Sequence, residues 1–323
     1  MGKLSDFLQY DNVQFEAKKR LSQGTGFLMS LLKCAILIGI CYIILAPVIM
    51  IVTNSFFSEN DVYNQVAMLI PVEGTTETYQ TVIGRMDYWQ TLSYTLLYIG
   101  TLSVIQVFIC AMTGYGFARF QFPGKKLLFM GVILTIVIPS HTIMLPMYMT
   151  FRNFDVFGII QAITGKPVNL LGKLTPMYIV TLFGQGLRSG LYIFIFNQYF
   201  RSMPKELEEA ARIDGAGAVR VFFRIMFPNA VPSIITVTVF SLVWQYNDTF
   251  FARVFAVPSK YLMSMKIQSL GSAISNLDNI IDPLVNQIYV YAGVVLTLIP
   301  LVILYIVLQK QFVEGVERSG IVG

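Results

Sequence analysis

Six long apolar runs constrain this chain more than any other feature of its sequence. They cover residues 34–53, 89–118, 127–151, 174–200, 227–247 and 283–309, and the only charged or histidine residues within them are His141 and Arg188. Each run is long enough for an α-helix to cross the ~30 Å hydrocarbon core of a bilayer. Because lipid offers no hydrogen bonds to the backbone, such segments must be helical. We therefore predict an all-α, polytopic membrane protein with six transmembrane helices.

The overall composition supports the same class. Hydrophobic residues make up 55% of the chain and charged residues 13%, whereas soluble proteins contain about 25% charged residues. So few charges cannot cover a water-soluble surface, which excludes a soluble enzyme. The three cysteines have the spacing of neither a disulfide framework nor a metal finger.

The distribution of Lys and Arg predicts the orientation of the spans. If the N-terminus is inside the cell, the inner segments contain about twice as many Lys and Arg residues as the outer ones, as the positive-inside rule requires. We predict a cytoplasmic N-terminal segment (residues 1–26), a transmembrane domain (27–309) and a cytoplasmic C-terminal tail (310–323). The first apolar run follows a long polar segment and is too long for a signal peptide, so we expect it to remain as an anchor. We therefore attribute the net charge of +5 to the orientation of the spans and to attraction to anionic membrane lipid, rather than to binding of nucleic acid.

The polar segment 201–228, between the fourth and fifth runs, carries the most informative pattern. Pro204 suits the first turn of a helix, and Glu208 and Arg212 are spaced for an i, i+4 contact. Gly215 tolerates the left-handed conformation in which helices commonly end. We predict a helix of about three turns that ends in a bend near Gly215.

A second short helix is predicted over residues 219–226, ending before Pro228. The small residues between the two helices would allow another protein to approach the backbone closely. On spacing alone, the segment could equally be an amphipathic loop that lies on the membrane surface.

A resemblance favours the first interpretation. The segment resembles the EAA loop of ABC-importer membrane subunits: Glu-Ala-Ala, three residues, Gly, nine residues, Ile, any residue, Leu, Pro. The matching residues here are Glu209, Ala210, Ala211, Gly215, Ile225 and Pro228, with Phe227 in place of the leucine. The Asp214-Gly215-Ala216 sequence is similar to that of the carbohydrate-importer branch, the maltose-type permease subunits.

The resemblance implies a fold, a set of partners and a mechanism. The fold would be the transmembrane domain of a type I ABC importer in the bacterial cytoplasmic membrane, with both termini cytoplasmic. The implied partners are a second permease subunit forming a heterodimer, two ATP-binding subunits and an extracytoplasmic carbohydrate-binding protein. The chain would form half of the path for a carbohydrate and catalyse no reaction. It has no phosphate-binding signature, so we expect no cofactor in this chain and expect ATP and Mg²⁺ on the partner subunits.

In that family the EAA loop is a coupling helix that docks on the ATP-binding subunit. The resemblance assigns this docking to Glu208, Glu209, Ala210, Ala211, Asp214, Gly215 and Ala216. Glu209 would make a polar contact with the partner, the alanines would pack closely against it, and Gly215 would provide the bend.

Four residues in or next to the spans are candidates for the path or its gate: His141, Arg188, Asn247 and Asp248. Ionisable groups within a membrane are functional candidates because they are costly to bury. Each also has a structural alternative. His141 could be a neutral, hydrogen-bonded imidazole, Arg188 could pair with an acidic group of a neighbouring subunit, and Asn247 and Asp248 could occupy a helix end at the interface.

Two other function classes are weighed against an importer subunit. A self-contained secondary transporter or channel would use His141 and Arg188 as coupling groups and would need no ATPase. A membrane-bound enzyme would need a nucleophile and base, or a set of metal ligands, at catalytic spacing, and the sequence offers none.

Overall fold

A computed structural model describes residues 29–64, 66–67 and 69–318, with side chains up to residue 309. The predicted N-terminal segment 1–26 and the side chains of the tail 310–323 lie outside the described residues. The chain divides into two compact units, Met1–Thr75 and Thr76–Gly323, which are taken separately below.

The first unit contains a long helix and a small ordered segment after it. Helix α1 (Met29–Asn54) includes the first apolar run and is long enough to cross a membrane. The short helix α2 (Glu59–Tyr63) begins at Ser58, whose hydroxyl accepts from the Asp61 N–H while the Asp61 carboxylate accepts from the Ser58 N–H. Asp61 also accepts from the N–H groups of Val72 and Glu73. One buried carboxylate thus organises this segment.

The second unit is a bundle of helices joined by short turns. Its helices are α3 (Glu77–Arg85), α4 (Tyr88–Arg119), α5 (Lys125–Val137), α6 (Met144–Arg152), α7 (Ile159–Thr164), α8 (Thr175–Leu182), α9 (Ser189–Ser202), α10 (Glu206–Ile213), α11 (Ala218–Val221), α12 (Phe227–Asn229), α13 (Val231–Tyr246), α14 (Phe250–Val254), α15 (Met263–Leu277) and α16 (Pro283–Arg318). Within the described ranges the only β pairing is an isolated bridge between Phe154 and Val168, so the prediction of an all-α protein is confirmed.

The number of spans is less simple than the sequence suggests. Among the described residues three helices, α1, α4 and the 283–309 part of α16, are long and apolar enough to cross a membrane unbroken. Two further helix pairs are long and apolar enough only when taken together, and each is sharply bent: α5 meets the 140–152 segment at 105°, and the 218–229 segment meets α13 at 76°. Each pair is either a broken span or a re-entrant loop. The fourth apolar run is divided between α8 and α9. The third run breaks at Pro139, because proline does not continue an α-helix. The fourth run breaks at the turn 183–188, because that turn contains residues in the left-handed conformation.

The bundle has two buried cores that share α4. One packs α3, α8, α14 and α15 against α4 and α16 around residues such as Met86, Leu102 and Phe255. The other packs α9, the loop after it and α13 against α4 around Tyr115, Phe196 and Phe200. Helices α4 and α9 approach closely at Gly114, where an added Cβ would lie 2.7 Å from the Cβ of Phe196. Helix α4 is therefore the central element of this unit.

Candidate functional site

The loop between α9 and α13 forms the predicted elbow. Helix α10 is eight residues long, just over two turns, with three glutamates in its first turn and Arg212 in its last, which suits the helix dipole. It ends at Ile213, two residues before Gly215, which has φ of +78° and donates its N–H to the Arg212 carbonyl at 3.0 Å. The predicted bend at Gly215 is confirmed, although the helix before it is shorter than three turns.

The second predicted helix differs from the expectation. Residues Ala218–Val221 are α-helical, but Phe222–Met226 form a π-helical turn in which the N–H of Phe227 donates to the carbonyl of Phe222. The helix does not stop before Pro228. The proline lies in the first turn of α12 instead, where its missing N–H is not needed.

Glu208 attaches the elbow to the bundle. Its Oε1 lies 2.8 Å from Nε of Arg119, at the end of α4, and the two side chains are only 8% and 6% exposed. Nη2 of Arg119 also donates to the Met203 carbonyl at 2.7 Å. Arg212 approaches Glu208 at 3.8 Å but is mostly exposed. Glu208, predicted as a docking residue, is thus occupied within its own chain.

The other predicted docking residues occupy different parts of the elbow. Glu209, Ala210, Asp214 and Gly215 are exposed, Ala216 is half-buried, and Ala211 is buried in the second core. Ala210, Asp214 and Ala216 line a surface cavity of about 580 Å³. The predicted set therefore has an outward face and an inward face.

Two apolar residues of the elbow were not singled out from the sequence. Ile213 is 86% exposed and Val219 is 72% exposed, on either side of Gly215. The signal was available: an isoleucine and a valine flank a glycine-rich turn in an otherwise polar loop. Both side chains belong to the outward face of the elbow.

The four candidate path residues line one cavity of about 540 Å³: His141, Arg188, Asn247 and Asp248. They come from three separate breaks in the helices. His141 lies in the 3₁₀ turn Ser140–Ile143, Arg188 precedes α9, and the other two residues follow α13. Since these segments are distant in sequence, only the fold brings them together.

Arg188 is held in an unusual conformation at this cavity. Its φ is +61°, in the left-handed region, and its guanidinium carbon lies 4.1 Å from the centre of the Trp244 ring. Within the described part of the chain no carboxylate lies within 4 Å of this guanidinium. The contact with Trp244 is therefore a cation–π interaction that leaves the remaining N–H groups of Arg188 available to the cavity.

The other three candidates have mainly local contacts. The ring of His141 meets Phe250 edge to face at 4.9 Å. Asp248 is buried, and its Oδ1 accepts from the N–H groups of Phe250 and Phe251 at 3.2 and 3.3 Å, so it caps the start of α14. Asn247 is exposed and donates to the Val243 carbonyl at 2.9 Å.

A buried polar cluster lies behind Arg188 and was missed in the sequence. The amide nitrogen of Gln106 donates to the Leu187 carbonyl at 2.7 Å and to the Ser189 hydroxyl at 2.9 Å. Its amide oxygen accepts from Ser241 and Gln245. Because α4, α13 and the Arg188 turn all meet at Gln106, this side chain fixes the position of that turn.

Known proteins share both the sequence pattern and the fold. Residues 106–318 match the family model described as "Binding-protein-dependent transport system inner membrane component". The melibiose/raffinose/stachyose import permease protein MelC of Bacillus subtilis is 26% identical over 278 residues, which are 86% of this chain and 91% of MelC. The arabinooligosaccharides transport system permease protein AraQ of Halalkalibacterium halodurans is 25% identical over 288 residues, 88% of this chain and 93% of AraQ.

A solved structure has a similar fold. A chain of a bacterial ABC transporter for import of the acidic polysaccharide alginate superposes with a TM-score of 0.68 at 21% identity, covering 88% of this chain and 96% of that one. The likeness concerns the arrangement of helices. Together with the family match, which covers most of the chain including the elbow, it places the protein among the inner-membrane permease subunits: the chain belongs to the family of inner membrane components of binding-protein-dependent transport systems.

Proposed function

We propose that this chain is a permease subunit of an ATP-driven carbohydrate importer, forms half of the translocation path and couples to a separate ATP-binding subunit through α10. The family membership supports an importer subunit. Relatives that import melibiose, raffinose and stachyose, arabinooligosaccharides or maltodextrin support a carbohydrate as the substrate. Six spans result if α8 and α9 are counted as one broken span and each bent pair as another.

One observation carries the coupling role: the elbow is exposed at its tip and rigid at its base. The tip presents Ile213 and Val219 to solvent. The base is fixed by the Arg119–Glu208 ion pair and by Ala211 in the second core. A partner that moved the tip would therefore move α4 and α9 with it, which is the rigid-body transmission that coupling between two sites requires.

The proposed partners follow from the family to which the chain belongs. They are a second permease subunit, two ATP-binding subunits and an extracytoplasmic carbohydrate-binding protein, with both termini of this chain in the cytoplasm. A related alginate transporter has been solved in complex with its periplasmic protein bound to an alginate pentasaccharide. The rival function, a transporter driven by an ion gradient through His141 and Arg188, would need none of these subunits.

Gly215 provides the test. An added Cβ there meets nothing within 4 Å, so a side chain would fit, but φ of +78° is strained for any residue with a Cβ. Gly215→Leu should therefore change the elbow while leaving the bundle intact. Gly217 is the matched control, because it also has open space around it but has φ of −72°.

The experiment uses the complex assembled with its partner subunits in proteoliposomes. We expect Gly215→Leu to assemble, to hydrolyse ATP and to lose most carbohydrate uptake, whereas Gly217→Leu retains uptake. Uptake by Gly215→Leu at the wild-type rate would contradict the coupling role. Uptake by the wild-type chain without an ATP-binding subunit would contradict the importer assignment itself.

A further inference from the structure

A second large cavity, separate from the candidate path, lies where α4 ends, α5 begins and α9 ends. Its volume is about 970 Å³. Five basic residues line it: Arg119, Lys125, Lys126, Arg201 and Lys205. None of the residues that line it is acidic.

Most of this positive charge is not balanced by the protein. Arg119 is paired with Glu208 at 2.8 Å, and Lys125 donates to the neutral carbonyl of Phe120 at 2.8 Å. Within the described residues no carboxylate lies within 4 Å of Lys125, Lys126, Arg201 or Lys205. Four cations around one cavity repel one another, and an anion bound among them would relieve that repulsion.

The other walls of the cavity are apolar. The rings of Phe117, Phe122 and Phe129 line it, and Phe117 contacts the other two, with ring centroids 5.9 Å from Phe122 and 5.4 Å from Phe129. Leu127 continues this surface along α5 and is 68% exposed. An occupant that matches both kinds of wall has an anionic head and apolar tails.

The position of the cavity also fits a lipid. Helices α4 and α9 end where their apolar runs end, and α5 starts with two lysines before its own apolar run. Such a boundary lies at the headgroup level of a membrane, where basic pockets between helix ends bind phosphate headgroups. A small soluble phosphate would satisfy the basic residues but would leave the apolar wall of the cavity without an apolar occupant.

The floor of the cavity contains an additional polar group. Asn197 is 2% exposed, and its Oδ1 has no hydrogen-bond partner among the described residues. Its Nδ2 donates weakly to the Gly114 carbonyl, at 3.4 Å. The floor thus offers an acceptor suited to a hydroxyl group of a headgroup.

We propose that this cavity binds the phosphate headgroup of an anionic phospholipid. Lys126, Arg201 and Lys205 contact the phosphate, while the phenylalanine rings and the exposed face of α5 contact the acyl chains. Lys205 immediately precedes α10, so the lipid would join the base of the elbow to the start of α5.

The test measures lipid retained by the complex of this chain with its partner subunits. The complex is delipidated, incubated with phosphatidylglycerol or phosphatidylcholine, and analysed by native mass spectrometry. The site variant is K126Q/R201Q. The control is R220Q/R224Q, which removes two exposed cations of the same loop that line a different cavity.

We expect the wild-type complex and the control to retain phosphatidylglycerol in preference to phosphatidylcholine. The affinity of K126Q/R201Q for phosphatidylglycerol should fall about 25-fold, the factor given by two charges near a membrane surface. Equal retention of the two lipids by the wild type, or an equal loss in both variants, would overturn the proposal.

Two additional measurements distinguish a lipid from other occupants of the cavity. Glycerol 1-phosphate has the same phosphate group without acyl chains. If it displaces the lipid at micromolar concentration, the occupant is a soluble ligand instead. Cross-linking of Lys126 to the ATP-binding subunit in the assembled complex would indicate a protein contact instead.

If K126Q/R201Q does not assemble, a photoreactive phosphatidylglycerol answers the question in the wild type. The label should map to residues 117–129. A label found only elsewhere would refute the site.

Discussion

Arg119 and Glu208 form a buried ion pair, 2.8 Å between Nε and Oε1, that joins the end of α4 to the first turn of α10. Both side chains are withdrawn from water, so each provides the counter-charge of the other. Removing one partner of such a pair leaves an uncompensated buried charge, which is more destabilising than the pair is stabilising.

The first prediction concerns this pair. Glu208→Gln should lower the stability of the bundle by about 3 kcal/mol, because it leaves the Arg119 guanidinium buried without a counter-charge. The measurement is the thermal unfolding midpoint of the detergent-solubilised complex. Arg212→Gln is the control: that side chain is 57% exposed and 3.8 Å from Glu208, so its loss should change stability by less than about 1 kcal/mol. Equal effects of the two substitutions would contradict the role given to Arg119.

The contact between α4 and α9 gives a second prediction. An added Cβ at Gly114 would lie 2.7 Å from Phe196 Cβ and 3.1 Å from the Ile193 carbonyl. Gly114→Ala should therefore destabilise the bundle by about 2 kcal/mol through overpacking. Gly116→Ala, two residues further along α4, has open space around it and should be neutral or stabilising by up to about 1 kcal/mol. The same unfolding measurement compares them, and a stable Gly114→Ala would show that the two helices are not in close contact.

A third prediction concerns Gln106 and the turn that carries Arg188. The chain has two tryptophans, so Trp89→Phe leaves Trp244 as the only reporter of the cation–π contact. In that background Arg188→Gln should increase quenching of Trp244 by acrylamide, since removal of the guanidinium uncovers the ring. Gln106→Leu should do the same if the amide positions the turn through the Leu187 carbonyl. Unchanged quenching in Gln106→Leu would assign Gln106 to packing alone.

The fourth prediction is a pH dependence in the first unit. Burial by itself would raise the pKa of Asp61, but hydrogen bonds from the N–H groups of Glu73, Ser58 and Val72 lower it below the ordinary value of 3.8. Because the folded pKa is lower than the unfolded one, this stabilisation is complete above about pH 4 and is lost as the pH falls through the folded pKa. The protection factors of the Val72 and Glu73 amides, which are observed exchange rates corrected for the slower intrinsic exchange at low pH, should therefore fall as the pH is lowered.

Asp61→Asn is the matching variant. It keeps one acceptor oxygen but replaces the other with a donor, so exchange at the same two amides should already be fast near pH 7 and should show no further opening on acidification. Slow exchange in Asp61→Asn would show that the carboxylate does not organise the segment.

Several features of the fold follow directly from the sequence. The second and sixth apolar runs form α4 and α16. An uninterrupted apolar run of that length indicates that the segment lies in lipid, and a segment in lipid must be helical. The bend at Gly215 followed from the one residue type that tolerates its φ. The third and fourth runs were harder to predict: apolarity indicates that a segment is in lipid, but not whether its backbone is continuous. The turn before α9 contains Gly184 and Gly186, but the left-handed conformation of Arg188 is not one that its residue type predicts.

The candidate sites, like the fold, could be predicted only in part from the sequence. His141 and Arg188 stood out individually because an ionisable group is rare within a span, but their meeting with Asn247 and Asp248 depends on three breaks that come together only in the fold. Gln106 was missed because an uncharged amide inside an apolar run looks unremarkable. Its importance comes from four hydrogen bonds to groups far away in the sequence.

The π-helical turn at Phe222–Met226 determines where the elbow points. Such a turn holds an extra residue, and each residue of an α-helix adds about 100° of rotation about its axis. Deleting one residue there would restore ordinary helical winding and swing everything before it by roughly a quarter of a revolution. The tip would then point in a different direction relative to α13, so the direction of the elbow depends on the length of this short stretch as well as on its composition.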